Sequence, residues 1–313
     1  MVYGLERTDK EHGMDKVSII IPARNEKNIV HTLFDIAKKA RGDIEIIVGT
    51  NGSPYHINNL SIDSILGKGR IKAINFPENI GIKGNINTLA LSASGKYLFK
   101  LDAHTSVGEG FDEILKADMQ DDWIVMPRFK IIKDDWSIQM RDGKEEFYDY
   151  FFLSCPFTDK RGLRFKAGGH WGEKTAEKLD VLIDETPQIH GSGWFMTKDR
   201  FFELGGFPLQ DPYGHGQEPV WIGLRNWLMG GKVMVNKKTW YAHLHQSSNQ
   251  RGYPENRHHT EQTYNSVASY WLSDKEPNLL HKFDWFISEK FPNMPTWPNN
   301  SVELLKRWRE QNA

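Results

Sequence analysis

The sequence predicts an α/β fold, with a mostly parallel central sheet flanked by helices and a C-terminal helical extension. Three observations carry this. Short β-branched or aromatic runs alternate with stretches of helical apolar spacing from residue 17 to residue 126, the pattern of βαβ units. The first of these runs, Val17–Ile21 (VSIII), reads as a buried parallel strand, covered on both faces. Beyond residue 246 the pattern changes to helical stretches with proline-rich joints.

Taken in order, residues 1–15 form a polar leader, and Val17–Ile21 is a strand stopped by Pro22. Apolar residues then recur at Ile29, Leu33, Ile36, Ala37 and Ala40, which is helical spacing, with Gly42 as the stop. Ile44–Val48 is the second strand and runs into a turn composition, Thr50-Asn51-Gly52-Ser53-Pro54. Arg70–Asn75 is a third, less apolar strand. Ile86, Leu89, Ala90 and Ala93 mark the next helix, and Gly95 stops it. Tyr97–Leu101 is the fourth strand and leads straight into Asp102-Ala103-His104. A helix over Glu109–Met119 and a strand over Trp123–Met126 follow.

Residues 128–186 break the alternation and read as loops and short strands, rich in aromatics: Trp136, Phe147, Tyr148, Tyr150, Phe151, Phe152 and Trp171. After Gly191-Ser192-Gly193-Trp194 a short helix reaches about Leu204. Glu218–Met229 is a helix with Trp221, Leu224 and Leu228 on one face and Gly230-Gly231 as its stop. Lys232–Val235 and Trp240–Leu244 read as two short strands. The expected organisation is a nucleotide-binding α/β domain over 16–246 and a helical extension over 247–313, in which Trp285, Trp297 and Trp308 are core anchors.

Composition narrows the function classes. Lys and Arg total 40 against 41 Asp and Glu, a net charge of -1, so nothing global draws the chain to a polyanion. The single cysteine, Cys155, excludes an intrachain disulfide and suits a reducing compartment. The first residues have no signal-peptide core, and no stretch approaches the roughly 20 apolar residues of a membrane span. A cytoplasmic protein is expected, without a membrane partner.

Ligands of open parallel sheets sit at the carboxyl ends of the strands, so the loops after Ile21, Val48 and Leu101 are the first candidates. Asp102 and His104 end one of those strands two residues apart. A carboxylate and an imidazole there suit a borderline divalent ion such as Mn²⁺. Tyr241-Ala242-His243-Leu244-His245 places two further histidines on one side of a strand, either of which can complete such a site. The plain alternative is a turn-capping aspartate and ordinary edge-strand histidines.

The ordered set PARNE (22–26), TNGS (50–53), NIGIKGNIN (79–87), LDAH (101–104), GSGWFM (191–196), GQE (216–218) and YAHLH (241–245) resembles glycosyltransferase family 2, which has the GT-A fold. The D-x-H form, the glutamate after glycines and the late histidine are most similar to the polypeptide N-acetylgalactosaminyltransferase branch. The run GGKVMVNKKTWYAHLH (230–245) is similar to phage-encoded glycosyltransferases, which would mean a host cytoplasm. The resemblance covers roughly residues 16–246.

It implies a metal-dependent glycosyltransferase that moves a sugar from a nucleotide-sugar donor, a UDP-sugar, to an acceptor hydroxyl, with Mn²⁺ or Mg²⁺ as cofactor. Pro22, Ala23, Arg24 and Glu26 then hold the nucleoside. Asn51 stands where the family usually has a base-contacting aspartate, and an amide both donates and accepts where a carboxylate only accepts. Gly81, Lys83 and Asn87 match the segment beside base and diphosphate. Asp102, His104 and His243 match the metal ligands, with His245 in reserve. Gly193 and Trp194 lie in the loop that faces the donor sugar. Glu218 matches the acidic residue near the acceptor, a general base in inverting members and a binding group in retaining ones, with Asp211 as a weaker alternative.

Several readings stay open. The acceptor is a saccharide or protein hydroxyl, or a hydroxymethylated pyrimidine in DNA. In the DNA case the aromatics of 128–186 would stack on a base while Arg251, Arg257, His258 and His259 meet phosphate. Against DNA, the eight Lys/Arg beyond residue 246 are matched by eight Asp/Glu. Outside sugar transfer the alternatives are a nucleotidyltransferase, a non-catalytic sugar-nucleotide-binding module and a catalytic zinc site. PARNE lacks the glycines of a nucleotidyltransferase loop. Donor sugar, stereochemical course and oligomeric state are not encoded in any motif.

Overall fold

The computed structural model describes residues 15–52, 69–166, 169–209, 216–246, 251 and 257–312. Four parallel strands form its first half: β1 (Val17–Ala23), β2 (Ile44–Asn51), β3 (Ile71–Phe76) and β4 (Tyr97–Leu101). β1 is central among them, with Val17 opposite both Ile44 and Tyr97. β1 is buried from Val17 to Ile21, and β2 and β4 along their whole length, as their apolar composition requires. Helix α1 (Ile29–Lys39) buries Ile29, Leu33, Ile36 and Ala37, and α2 (Gly81–Ser92) buries Ile86, Leu89 and Ala90, the stripes read from spacing. Gly95 does more than stop α2. A Cβ there would stand 2.4 Å from the Lys16 carbonyl, where β1 begins.

β5 (Thr105–Val107) follows β4 at once, and then helix α3 (Phe111–Ala117). β6 (Trp123–Ile132) runs six residues past the expected Met126. Between β6 and the next helix lie the short strands β7 (Met140–Arg141), β8 (Lys144–Glu145), β9 (Phe147–Tyr148), β10 (Phe151–Phe152) and β11 (Gly169–His170). Helix α4 (Gly172–Glu177), β12 (Ile183–Glu185), β13 (Gly193–Thr197), α5 (Lys198–Glu203) and α6 (Glu218–Leu228) come next. The two strands expected near the end are one, β14 (Lys232–Leu244), with a register shift between Asn236 and Trp240. That polar stretch, Asn-Lys-Lys-Thr, is where the bulge falls.

The main sheet runs β12-β14-β6-β13-β4-β1-β2-β3. β13 is antiparallel to both β4 and β6, so one reversed strand joins a parallel quartet to the parallel pair β6–β14. The fold class is as expected: mostly parallel, with helices packed on the sheet. Beyond β14, α7 (Arg257–Leu272), a short helix Phe283–Trp285 that passes into a π-turn over Phe286–Lys290, and α8 (Ser301–Gln311) complete the chain. Trp271, Phe283, Phe286 and Leu305 belong to the same core cluster as the sheet, with Trp285, Trp297 and Trp308 packed against it. No helix of the described residues is long and apolar enough to cross a membrane.

Candidate active site

Three strand ends and one strap build a cleft of about 420 Å³. Pro22 and Ala23 end β1 and Arg24 and Glu26 follow it, Asn51 ends β2, and Asp102 and His104 follow β4; all of them line it. β5 is the strap. It turns back after Asp102-Ala103-His104 and pairs antiparallel with the end of β14, His243 opposite Thr105. The Leu244 amide donates to the His104 carbonyl at 3.0 Å, and the Asp102 amide donates to the Ser192 carbonyl at 2.9 Å. Residues 140 positions apart are thereby held at one point.

Asp102, His104 and His243 each offer a ligand atom within 4.8 Å of the others. Neither ring nitrogen of the buried His243 makes a hydrogen bond among the described residues, although Nε2 stands 3.2 Å from Asp102 Oδ2. His104 Nδ1 is 2.9 Å from Glu26 Oε2, which leaves Nε2 for a ligand. A carboxylate outside a metal-bound imidazole is a common arrangement for fixing tautomer and ring orientation. One oxygen donor, two nitrogen donors and two unsatisfied buried nitrogens fit a borderline divalent ion. His245, the reserve ligand, lies beside His243 with ring centroids 4.9 Å apart and lines the cleft outside that triad.

Burial alone would raise the Asp102 carboxyl, but Lys100 above all, with His243, holds it well below the usual carboxylate range. Burial pushes His243 down to about 4, and the facing Asp102 only partly offsets this. His190 is pushed down to about 3 by burial and by the neighbouring His243 and His245. The imidazoles of His190 and His243 are therefore neutral at physiological pH, the state in which a ring nitrogen has a lone pair to give. Burial works against ionisation of Glu26 too, yet its bond to His104 leaves it below the ordinary value.

Asn51 is engaged twice: its Oδ1 accepts from the Ile80 amide at 2.7 Å and its Nδ2 donates to Asn79 Oδ1 at 2.7 Å. Asn79 Oδ1 also accepts from the Gly81 amide at 3.0 Å, so the two asparagines tie β2 to the first turn of α2. Glu218 opens α6 and lines the cleft. Its Oε2 accepts from the Gly216 amide at 2.7 Å, while its buried Oε1 makes no hydrogen bond among the described residues.

Four of the expected site residues do not line the cleft. Trp194 is fully buried and stacked on Phe201 at 6.0 Å. Gly193 is where Tyr241 crosses β13: a Cβ there would meet its ring at 2.7 Å. Asn87 braces the chain after α5, accepting from the Phe207 amide at 3.0 Å and donating to the Phe207 carbonyl at 2.8 Å. Lys83 is buried on α2. Asp211 lies outside the described residues. None of the seven aromatics singled out in 128–186 lines the cleft, and Tyr150 and Phe151 are core residues. Arg251 does line it, whereas the side chain of Arg257 lies outside the described residues.

The cleft also holds residues that the sequence reading missed: Lys100, His190, Asn79, Gln246 and Tyr264. Lys100 had a signal, since a residue two before Asp102 on a strand shares its face. His190 adjoins the GSGW segment. Tyr264 comes from α7, so the C-terminal segment supplies part of the wall.

Comparison with known proteins gives the family and the fold. A protein named "Putative polypeptide N-acetylgalactosaminyltransferase 13", from Drosophila melanogaster, is 24% identical over 292 residues, covering 85% of this chain and 49% of that protein. The structure described as GalNAc-T7 with UDP, GalNAc and Mn²⁺ superposes with a TM-score of 0.64 at 20% identity, over 95% of this chain and 54% of that one. The chain thus spans about half the length of the relatives it matches. The family model Glycosyl transferase family 2 matches residues 18–177. This chain belongs to glycosyl transferase family 2, with the GT-A fold of its structural relatives.

Proposed function

We propose that the chain transfers a sugar from a UDP-sugar to an acceptor hydroxyl, using Mn²⁺ held by Asp102, His104 and His243. The observation that carries the reading is the convergence of one carboxylate and two imidazoles within 4.8 Å at the carboxyl ends of a parallel sheet. The matched GalNAc-T7 structure, solved with UDP, GalNAc and Mn²⁺, supports the choice of donor and ion to test first. An ion at this triad supplies positive charge against the diphosphate of the donor.

The residues of the chain divide the remaining work. Pro22, Ala23, Arg24 and Gly81 form the wall that takes the nucleoside, and Asn51 keeps that wall rigid by bonding the turn before α2. Glu26 fixes the ring of His104. Glu218, at the start of α6, presents to the acceptor hydroxyl an Oε1 that makes no hydrogen bond among the described residues, to take its proton or to hold it.

The test is donor hydrolysis without acceptor, over a panel of UDP-, GDP- and dTDP-sugars with Mn²⁺, with and without chelator. The expected result is chelator-sensitive release of UDP, abolished by Asp102→Ala in a protein that keeps the wild-type circular dichroism spectrum, although with a lower melting temperature because Lys100 loses its partner. Wild-type turnover by that variant would remove Asp102 from the metal site. No release from any donor, together with no donor-induced thermal shift, would overturn the reading.

A further inference from the structure

Lys100 is a buried cation in the wall of the cleft, and none of the assignments above uses it. It lies on β4 opposite Trp194 of β13, two residues before Asp102, so strand alternation puts both side chains on one face. Its Nζ donates to Asp102 Oδ1 in a short hydrogen bond and to the Gly191 carbonyl at 2.7 Å. The other oxygen, Oδ2, stands 3.2 Å from His243 Nε2. The ammonium therefore occupies one carboxylate oxygen and leaves the other to the triad.

We infer that Lys100 is a resident counter-charge of the metal centre, which holds the affinity of the free protein for a divalent ion low. The inference rests on the metal reading of Asp102, His104 and His243. The charge balance is direct. Asp102 contributes one negative charge and Lys100, bonded to it, one positive charge. The one carboxylate of the triad is thus already balanced before an ion arrives. A divalent ion adds two positive charges to a partly buried site; Glu26 beside His104 offsets part of them, and the remaining cost is relieved when a nucleoside diphosphate brings negative charge. Lys100 thereby couples metal retention to donor binding, and it acts through Asp102 as a positioning residue.

The sign of the effect separates this from a structural role. Loss of a residue that merely orients Asp102 would weaken the ion. Loss of a nearby ammonium should tighten it by roughly tenfold or more, since even water-like screening leaves a sizeable repulsion between an ammonium and a divalent ion one carboxylate apart.

The experiment is titration of the full chain with MnCl₂ alone, free Mn²⁺ being read from its electron paramagnetic resonance signal. It compares wild type, Lys100→Met and Lys100→Arg. The expected result is a Kd at least tenfold lower for Lys100→Met, and within about threefold of wild type for Lys100→Arg. If Lys100→Met does not fold, Lys100→Gln removes the charge, keeps a donor and carries the same expectation. A neutral variant that binds Mn²⁺ no more tightly than wild type overturns the role of Lys100 and leaves the metal site standing. Absence of saturable Mn²⁺ binding in every form overturns both.

Discussion

Replacing Glu26 by Gln moves the metal affinity in the direction opposite to Lys100→Met. Glu26 Oε2 lies 2.9 Å from His104 Nδ1, and its other oxygen accepts from the Asn28 amide at 3.0 Å and from Gln246 Nε2 at 3.5 Å. The carboxylate is anchored by α1 and by the segment after β14, so it sets the ring plane of His104 and keeps the proton on Nδ1. Loss of such an outer partner typically costs about 10- to 100-fold in metal affinity, roughly 1.4–2.7 kcal/mol. Gln retains one acceptor oxygen and loses the charge, so Glu26→Gln should sit near the tenfold end and Glu26→Ala near the hundredfold end. The assay is the Mn²⁺ concentration that gives half-maximal UDP release, with direct Mn²⁺ titration beside it. Half-maximal concentrations within twofold of wild type for both variants would refute the claim that Glu26 works by orienting His104.

Three further substitutions test how the scaffold holds the site. Gly193→Ala puts a Cβ 2.7 Å from the ring of Tyr241 on β14, and should lower stability by about 1–3 kcal/mol in chemical denaturation. An unchanged midpoint would mean that β14 yields there. Asn87→Ala removes both hydrogen bonds to Phe207 and should lower the melting temperature while leaving the donor KM within about twofold; a KM rise without a stability loss would restore Asn87 to donor binding. Glu45 is held down to about 2 despite burial, by Lys72, Ser18 and Ser94. Its folded value lies below the unfolded one, so its contribution is complete above pH 4.5 and disappears as pH falls toward 2, an effect of about 3 kcal/mol. Glu45→Gln should flatten the acid limb of the stability curve, and a limb as steep as wild type would disprove the assignment.

What the sequence made legible follows from locality. Val17–Ile21, Ile44–Val48 and Tyr97–Leu101 are read correctly because strands covered on both faces show their burial in their own composition. D-x-H and the late histidines are legible for a similar reason: chemistry at strand ends sits in short segments. β13 is different. Nothing in Gly193–Thr197 states that these five residues reverse the sheet between β4 and β6, since Phe195 pairs with Phe99 and Val125, far away in the chain. β14 reads as two strands because its bulge is polar, and continuity across it is supplied by pairing with β6.

Trp194 and Lys100 show the same limit within the site, in opposite directions. They face each other across the β13–β4 ladder. The motif context assigns Trp194 to the donor sugar, yet its indole packs on Phe201 in the core. Lys100 looks like an ordinary polar residue in an apolar strand, yet it is almost wholly buried and bonded to Asp102. A lysine is rarely buried without a partner, so its presence in YLFKL signals a carboxylate nearby. Asp102, two residues on and on the same face, is the obvious candidate. The strand pattern therefore marks Asp102 as the partner of a fixed cation. On the proposed metal reading, Lys100 and Glu26 would set the affinity of the centre as much as the three side chains that would touch the ion.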